Sequence, residues 1–442
     1  MKILVFGINY APELIGVAKY TTDMCEYFRA AGHEVAVVTA PPYYPHWSKP
    51  KSYRRYWYQR ETVRGISLIR CPLYVPRSPT GLKRLLHHFS FALSSGPAMI
   101  YAASRMQPDL VLAIAPSIFG APGAALAGML VGASRWLHLQ DLEVDEAFEL
   151  GFLSGSAFRR MALALELATL RMFQRLSSIS PRMVAALKSK GVAADRLLEF
   201  NNWVDTDVIR PLPRPTTLRN SLTIAPGATV ALYSGNMGTK QGLEYLAAAA
   251  RRLAPGRPDI VFLLCGSGSM RERLRAMTQD LPNVRMLDLQ PAEAMAELLS
   301  TADIHLLPQM PGVMDLALPS KLPAMLASGR PVVAMAIENT QLHQELQGVG
   351  IVIQPGDVDA FEASLVRLAD EPILRTLMGA RGRELAIARW GRSAVLSRIE
   401  ALLSSTKAST LSSELSRPAD GDAEDNTEAV RVATTVLTRA NG

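Results

Sequence analysis

The start of the chain alternates between strand-like and helix-like patterns, and this alternation constrains the fold more than any other feature. Residues 2–6 form a short apolar run that is typical of a buried strand. Residues 17–31 carry apolar side chains at helical spacing, and Glu34–Thr39 is a second apolar run. Two strands joined by a helix pair in parallel, because the connection has to cross back over the sheet. We therefore predict a βαβ unit whose loop, residues 7–16, opens at the carboxyl edge of a parallel sheet.

The same alternation continues through two halves of the chain. A proline cluster (Pro211, Pro213 and Pro215) separates the halves, and six apolar runs alternate with helical patterns after it. We therefore predict an α/β protein with two doubly wound, Rossmann-like domains that face a central cleft. The predicted divisions are a first domain at residues 1–205, a second domain at 206–375, a helix at 376–403 that crosses back to the first domain, and a disordered tail at 404–442.

Composition narrows the function classes. The 442 residues carry a net charge of +7, which suits nucleic acid, an anionic membrane or phosphorylated ligands. No basic stripe runs through either half, so we expect no nucleic-acid partner. The three cysteines are far apart, and residues 1–7 lack a signal-peptide apolar region. We therefore expect a cytoplasmic protein without disulfides. No HExxH or clustered His/Cys pattern occurs, so we expect no cofactor and no tightly bound metal.

Two segments have features that occur in membrane-spanning or membrane-binding regions. The 25 residues between Asp109 and Arg135 carry no charge. Prolines and small residues interrupt them, so we interpret them as a buried strand and helix rather than a membrane span. Residues 41–90 combine an aromatic loop with a basic amphipathic pattern at 81–89. They are either a solvated insertion packed on the sheet or a contact, through residues 82–91, with the inner face of the cytoplasmic membrane and a lipid-linked anionic substrate.

Three strand–helix loops of the second half are suited to bind an anion. Glycines let backbone N–H groups approach a ligand, helix N-termini favour negative charge, and two of the loops add a lysine. We expect Ser320 to cap the helix that follows it. Together the loops predict a diphosphate-containing ligand on the second domain. The candidate binding residues are Gly235, Asn236, Gly238, Lys240, Gly266, Ser267, Gly268, Pro319, Ser320, Lys321 and Leu322.

These motifs, with residues 9–13, Gly16 and residues 139–143, resemble those of GT-B glycosyltransferases of glycosyltransferase family 4, and in particular the colanic-acid-type exopolysaccharide transferases. The resemblance covers residues 1–400 and implies a retaining enzyme. It implies a nucleotide-sugar donor on the second domain, with its phosphates beside Gly16, and a lipid-linked saccharide acceptor on the first. Lys240 matches a lysine of the family pattern.

The sequence departs from that pattern at three positions. Asn236 stands where an arginine is usual, and the two glutamates of the last donor motif fall on Leu316 and Ala324. Asp315 or Lys321 can compensate. The candidate catalytic residues are Lys240, Asp141 and His138. In the resembling enzymes the donor phosphate assists the acceptor hydroxyl, so no protein nucleophile is required. Two alternatives stay open, a sugar-nucleotide epimerase and a non-catalytic binding protein.

Overall fold

The structure is a computed structural model that describes residues 1–13, 16–53, 57–78, 80–116, 118–142, 156–311 and 318–415. Side chains are described within these ranges except at 156–158 and 404–415. The chain divides into two compact units, Met1–Ser397 and Arg398–Gly442. Both sheets lie in the first unit. Residues 416–442 of the predicted tail lie outside the described residues.

The first sheet has eight strands among the described residues, in the order β3-β4-β2-β1-β5-β6-β7-β8. Every neighbouring pair is parallel except β3 with β4. The strands are β1 (Lys2–Gly7), β2 (Glu34–Thr39), β3 (Gln59–Val63), β4 (Ile66–Arg70), β5 (Leu110–Ala115), β6 (Ser134–Leu139), β7 (Arg175–Ser178) and β8 (Leu197–Glu199). The helices of this half are α1 (Val17–Ala30), α2 (Gly81–Met106), α3 (Ala121–Leu130), α4 (Ser156–Arg171) and α5 (Pro181–Ser189).

The second sheet is fully parallel among the described residues, in the order β11-β10-β9-β12-β13-β14. Its strands are β9 (Thr229–Asn236), β10 (Ile260–Ser267), β11 (Val284–Leu287), β12 (Ile304–Leu307), β13 (Val332–Met335) and β14 (Gly350–Ile353). The remaining helices are α6 (Thr217–Ser221), α7 (Leu243–Leu253), α8 (Arg271–Thr278), α9 (Met295–Thr301), α10 (Leu322–Ala327), α11 (Gln341–Glu345), α12 (Val358–Asp370), α13 (Pro372–Trp390) and α14 (Arg392–Leu415).

Both sheets are doubly wound, as predicted. The order of the second sheet reverses between β9 and β12, and that of the first reverses between β1 and β5. Ligands of open α/β sheets bind outside the carboxyl ends of the strands at such reversals. The loops that follow β1 and β9 are therefore the places where this fold puts a binding site.

The structure corrects three local expectations. Residues 59–70 are a hairpin that extends the first sheet, since β4 pairs with β2, and not a separate insertion. The basic helix runs from Gly81 to Met106, well past the predicted end at residue 89. The predicted helix over residues 376–403 is two helices that break at Gly391, whose backbone pairs with Val204.

The final helix also continues where we predicted disorder. It extends through Leu415, whereas the predicted tail begins at Ser404. Extending an existing helix fixes one residue for each hydrogen bond gained, so polar residues follow a helix more easily than they start one.

The uncharged stretch before Arg135 forms a strand and a helix, as predicted; the strand is buried, whereas Leu126, Met129 and Leu130 of the helix are exposed. All six residues of β5 are buried, and α3 follows it. Within the described part of the chain, no helix combines the length and apolar character that a membrane crossing needs.

Candidate functional site

The ends of β9 and β10 form a glycine-lined edge at the strand-order reversal. Gly235 pairs with Gly266, and Asn236 pairs with Ser267. A Cβ on Gly266 would lie 1.9 Å from the Gly235 carbonyl oxygen, and one on Gly268 would lie 2.4 Å from the Met237 carbonyl oxygen. Only glycine therefore allows the two loops to run side by side here. The backbones of the two strand ends therefore lie side by side here with no side chain at Gly235, Gly266 or Gly268.

Lys321 lies against this edge and is half-buried. Its Nζ is 3.4 Å from the Ser234 carbonyl oxygen and 4.2 Å from the centroid of the Tyr233 ring. A Cβ on Gly235 would lie 3.4 Å from the same Nζ. Burial lowers the pKa of Lys321 to about 8. Among the described residues no carboxylate forms an ion pair with it.

The turn before α10 differs from the predicted cap. Lys321, rather than Ser320, occupies the N-cap position, and no side chain caps the helix. The Leu322 N–H donates to the Pro319 carbonyl oxygen at 2.9 Å. The prediction fails because the helix starts one residue later than the serine pattern suggested, which leaves the Ser320 side chain exposed. Leu322 is buried in the core, so only its backbone faces the turn.

Lys240 has a different environment from Lys321. It is exposed, in a short 3-10 turn, Thr239–Gln241, that follows the β9 edge. Its carbonyl oxygen accepts a hydrogen bond from the Met310 N–H at 3.1 Å, which ties this turn to the loop after β12. The two lysines thus flank the same edge, one half-buried and one in solvent.

In the first half, Gly16 precedes α1 with φ of 64°, a conformation that favours glycine. The nearest side chain to its Cβ position is Tyr44, whose Cε1 would lie 3.9 Å away. The loop after β1 also holds the buried carboxylate of Glu13. We assigned this glutamate no role from the sequence, although a carboxylate between Pro12 and two apolar residues was an available signal.

His138 lies in a closed hydrogen-bond network at the end of β6. Its Nδ1 is 2.9 Å from Ser177 Oγ, and its Nε2 is 3.0 Å from Gln140 Nε2. Gln140 and Asn202 exchange two amide hydrogen bonds, which orients the Gln140 amide. Since Gln140 donates to Nε2, the proton of the neutral ring is on Nδ1. Burial lowers the pKa of His138 to about 3, so the ring is neutral at pH 7.

The remaining predicted positions are placed as follows. Asp141 is half-buried, directly after Gln140. Ala324 packs partly against the core of the second half. Leu316 and Asp315 lie outside the described residues. In the described part of the chain, no three His, Cys, Asp or Glu side chains are grouped in a way that could hold a metal ion.

Comparisons with known proteins identify the family. Residues 16–203 match the family described as glycosyl transferase 4-like domain, and residues 228–371 match glycosyl transferases group 1. The putative colanic acid biosynthesis glycosyl transferase WcaI of Escherichia coli K12 is 40% identical over 382 residues, which are 83% of this chain and 91% of that protein. The chain belongs to glycosyltransferase family 4. The transferase is thereby favoured over the epimerase and the non-catalytic protein.

Two further relatives bear on this glycosyltransferase. The structure of Anabaena Alr3699/HepE in complex with UDP-glucose covers 92% of this chain and 100% of that one, with a TM-score of 0.62 and 17% identity. The fold is therefore the predicted GT-B fold. An Escherichia coli UDP-Gal:alpha-D-GlcNAc-diphosphoundecaprenol alpha-1,3-galactosyltransferase is 25% identical over 181 residues, 40% of this chain and 46% of that protein.

Proposed function

We propose that this glycosyltransferase moves a sugar from a nucleotide-diphospho-sugar to a lipid-linked exopolysaccharide acceptor, with retention of configuration. The observation that carries the proposal is the glycine-lined edge of β9 and β10 with the cation of Lys321 against it. A half-buried ammonium group with no carboxylate partner among the described residues is suited to receive an anion. The UDP-glucose bound in HepE and the colanic acid role in the name of WcaI support the donor and product classes.

The bond that breaks leaves a diphosphate, and its developing charge has to be stabilised. We assign that role to Lys240 and Lys321, together with backbone N–H groups of the loops after β9 and β10. Lys321 is held in place by packing before the donor arrives. Lys240 is exposed, so in the proposal its side chain moves to contact the phosphates when the donor binds. The donor's own phosphate assists the acceptor hydroxyl, so the proposal requires no protein nucleophile.

We assign the network around His138 to the sugar side of the site. A neutral histidine bonded on both ring nitrogens does not exchange protons readily at pH 7. Its role in the proposal is therefore to hold Gln140, and through it the position of Asp141, at the end of β6. Gly16 in the opposite loop faces the donor phosphates.

One face of helix α2 supports the proposal that the acceptor is lipid-linked. Its exposed apolar side chains are spaced by three or four residues, and Leu82 is 81% exposed. Two exposed cations, Lys83 and Arg84, lie beside them, and no acidic residue occurs in this helix. Such a face suits an anionic membrane surface. The exposed stripe consists of Leu82, Leu86, Phe89 and Leu93.

The two histidines of this segment do not belong to that cationic face. His87 and His88 are buried, and burial lowers the pKa of each to about 4. They are therefore neutral at pH 7, and Phe91, expected in the apolar contact, is buried as well. The helix is longer than predicted, and its packing on the sheet decides which side faces solvent.

A thermal-shift panel of UDP, GDP and their sugar conjugates tests the proposal. A ligand at one hundred times its Kd adds about 2.7 kcal/mol to the apparent stability, so a specific nucleotide is recognised by a clear rise in Tm. Transfer to a diphospholipid-linked saccharide should follow with that nucleotide's sugars. No shift with any nucleotide would contradict the donor assignment. Turnover of a sugar nucleotide without acceptor would instead favour an epimerase.

A further inference from the structure

Two buried charged side chains hold the loop after β1 against the loop after β2. Glu13 Oε1 accepts hydrogen bonds from the backbone N–H groups of Tyr43 and Tyr44, at 2.7 and 2.8 Å. Its other oxygen accepts from Asn9 Nδ2 at 2.8 Å. Burying a carboxylate is costly unless such donors satisfy it, and burial raises the pKa of Glu13. The position of the Tyr43–Tyr44 backbone is therefore fixed from within the protein.

Arg70 joins the same two loops from the other side. Its guanidinium is fully buried and donates to the carbonyl oxygens of Ala40 and Ala11. Glu61 balances its charge at 2.6 Å. A loop held by a buried carboxylate and a buried guanidinium has little freedom, so the side chains it presents to solvent are preorganised.

The two tyrosines of this loop have opposite environments. Tyr43 is buried, with its ring centroid 4.6 Å from that of His87 on α2 and 5.4 Å from that of Trp47. Tyr44 is 42% exposed, and its ring edge lies beside Gly16. Tyr43 thus anchors the loop, and Tyr44 presents an aromatic ring at the carboxyl edge of the first sheet.

We propose that the Tyr44 ring is the stacking surface for a pyranose ring of the acceptor saccharide. This rests on the proposed function, which puts the donor phosphates beside Gly16 and the acceptor on the first half of the chain. The C–H groups of a pyranose face pack on an aromatic ring with little dependence on hydroxyl pattern, and a rigid tyrosine loses little entropy when it does so. A ring next to Gly16 holds that sugar beside the bond that breaks.

The anchoring of the loop also fits a lipid-linked acceptor. His87, which packs on Tyr43, lies in the same helix as the exposed stripe of Leu82, Leu86, Phe89 and Leu93. One face of α2 therefore meets the lipid in the proposal, and its opposite face supports the loop that meets the sugar. An acceptor can therefore place its lipid at the exposed stripe of α2 and its saccharide at Tyr44, and both contacts lie in the first half of the protein.

The test measures saturation transfer in NMR from the full-length protein with UDP to the methyl glycosides of glucose, galactose, mannose, fucose and N-acetylglucosamine. The variants are Tyr44→Ala and Tyr44→Phe, with Tyr101→Ala as the matched control. Tyr101 is also 42% exposed, but it lies near the end of α2 and stacks on Arg60. We expect Tyr44→Ala to weaken glycoside binding by roughly five-fold or more, in line with the loss of an aromatic contact. Tyr44→Phe retains the ring and most of the transfer, and Tyr101→Ala matches the wild type.

The proposal is overturned if Tyr44→Ala binds the glycosides as the wild type does, if Tyr101→Ala loses binding equally, or if no glycoside receives saturation from the wild type. Calorimetry with UDP and GDP on the same samples separates this failure from that of the proposed function. A wild type that binds neither nucleotide contradicts the donor assignment. A wild type that binds a nucleotide, with glycoside binding independent of Tyr44, contradicts only the stacking surface.

Discussion

Replacing Lys321 with methionine should stabilise the ligand-free protein and weaken its binding of the donor diphosphate. Methionine fills much of the volume of the lysine stem beside the Tyr233 ring but carries no charge. Among the described residues, the half-buried ammonium group lies 3.4 Å from the Ser234 carbonyl oxygen and 4.2 Å from the Tyr233 ring centroid, and no carboxylate pairs with it. Its charge is therefore poorly solvated until an anion arrives, and the protein bears that cost in the absence of ligand.

The lowered pKa of Lys321 gives the size of the free-energy cost of burying its charge. The value falls from an ordinary 10.5 to about 8 on burial. That difference corresponds to about 3 kcal/mol, and allowing for solvent screening of a half-buried group reduces it to about 2 kcal/mol. Between pH 8 and 10.5 the unfolded chain binds more protons than the folded protein, so the cost is full below pH 8 and fades as the pH rises to 10.5.

Thermal unfolding and calorimetry test both parts of this prediction. At pH 7, Lys321→Met should raise Tm by roughly 4 to 8 °C and weaken UDP binding about 10- to 100-fold, the worth of a charge-assisted hydrogen bond. The second ionisation of a terminal phosphate has a pKa of about 6, so UDP is fully charged above pH 7.5. Wild-type affinity should therefore decline as the pH rises through 8, and the variant should lack this decline.

Lys240→Met is the matched control, since Lys240 flanks the same edge but is exposed. It should weaken UDP binding, spare binding of the nucleoside, and change Tm by only about 1 °C, as exposed substitutions do. A Lys321→Met variant that melts below the wild type while UDP binds unchanged would contradict both the stability cost and the binding role of Lys321. Equal Tm shifts in the two variants would contradict the stability cost.

Two further predictions concern the turn before α10 and the exposed face of α2. Ser320→Pro should weaken UDP binding far more than Ser320→Ala, because only proline removes a backbone N–H and alters the turn; similar small effects in calorimetry would mean that the turn is structural only. The double change Lys83→Glu, Arg84→Glu should release the protein from anionic vesicles at low salt, since each basic contact is worth about 1 kcal/mol and is screened by salt. Co-sedimentation checks this, with UDP binding in solution unchanged; a wild type that stays in the supernatant with anionic vesicles at low salt would contradict the membrane contact.

The elements that position the glycine-lined edge of β9 and β10 were predictable because each coincides with a local sequence pattern. The strand β9 coincides with an apolar run and the helix α7 with apolar residues at helical spacing, and the glycines mark the turn between them. The hairpin Gln59–Arg70 was missed because it follows an aromatic and charged segment. Its outer strand, β3, is an edge strand with no fully buried residue, so its sequence lacks an apolar run.

The environments of the site residues were harder to predict than their positions. Glu13 meets Tyr44 across 31 residues, and Lys321 meets Ser234 across 87. Neither contact leaves a periodic trace in the sequence, because each depends on how strands far apart in the chain align in a sheet. His138 contacts Ser177, and Gln140 beside it contacts Asn202, so its hydrogen-bond network also depends on residues from later segments.

We propose that the departures from the family pattern at the glycine-lined edge of β9 and β10 compensate one another. Asn236 removes a positive charge that the resemblance leads one to expect, and Ala324 removes a negative one. Ala324 follows Lys321 by three residues at the start of α10, a spacing at which a glutamate would pair with the lysine. With alanine there, packed on the core, the charge of Lys321 stays available to the ligand. In this proposal Lys321 supplies the positive charge that is absent at Asn236, and Leu316, the third departure, removes a further negative charge. A glutamate restored at position 324 would neutralise Lys321 and should weaken diphosphate binding in this chain.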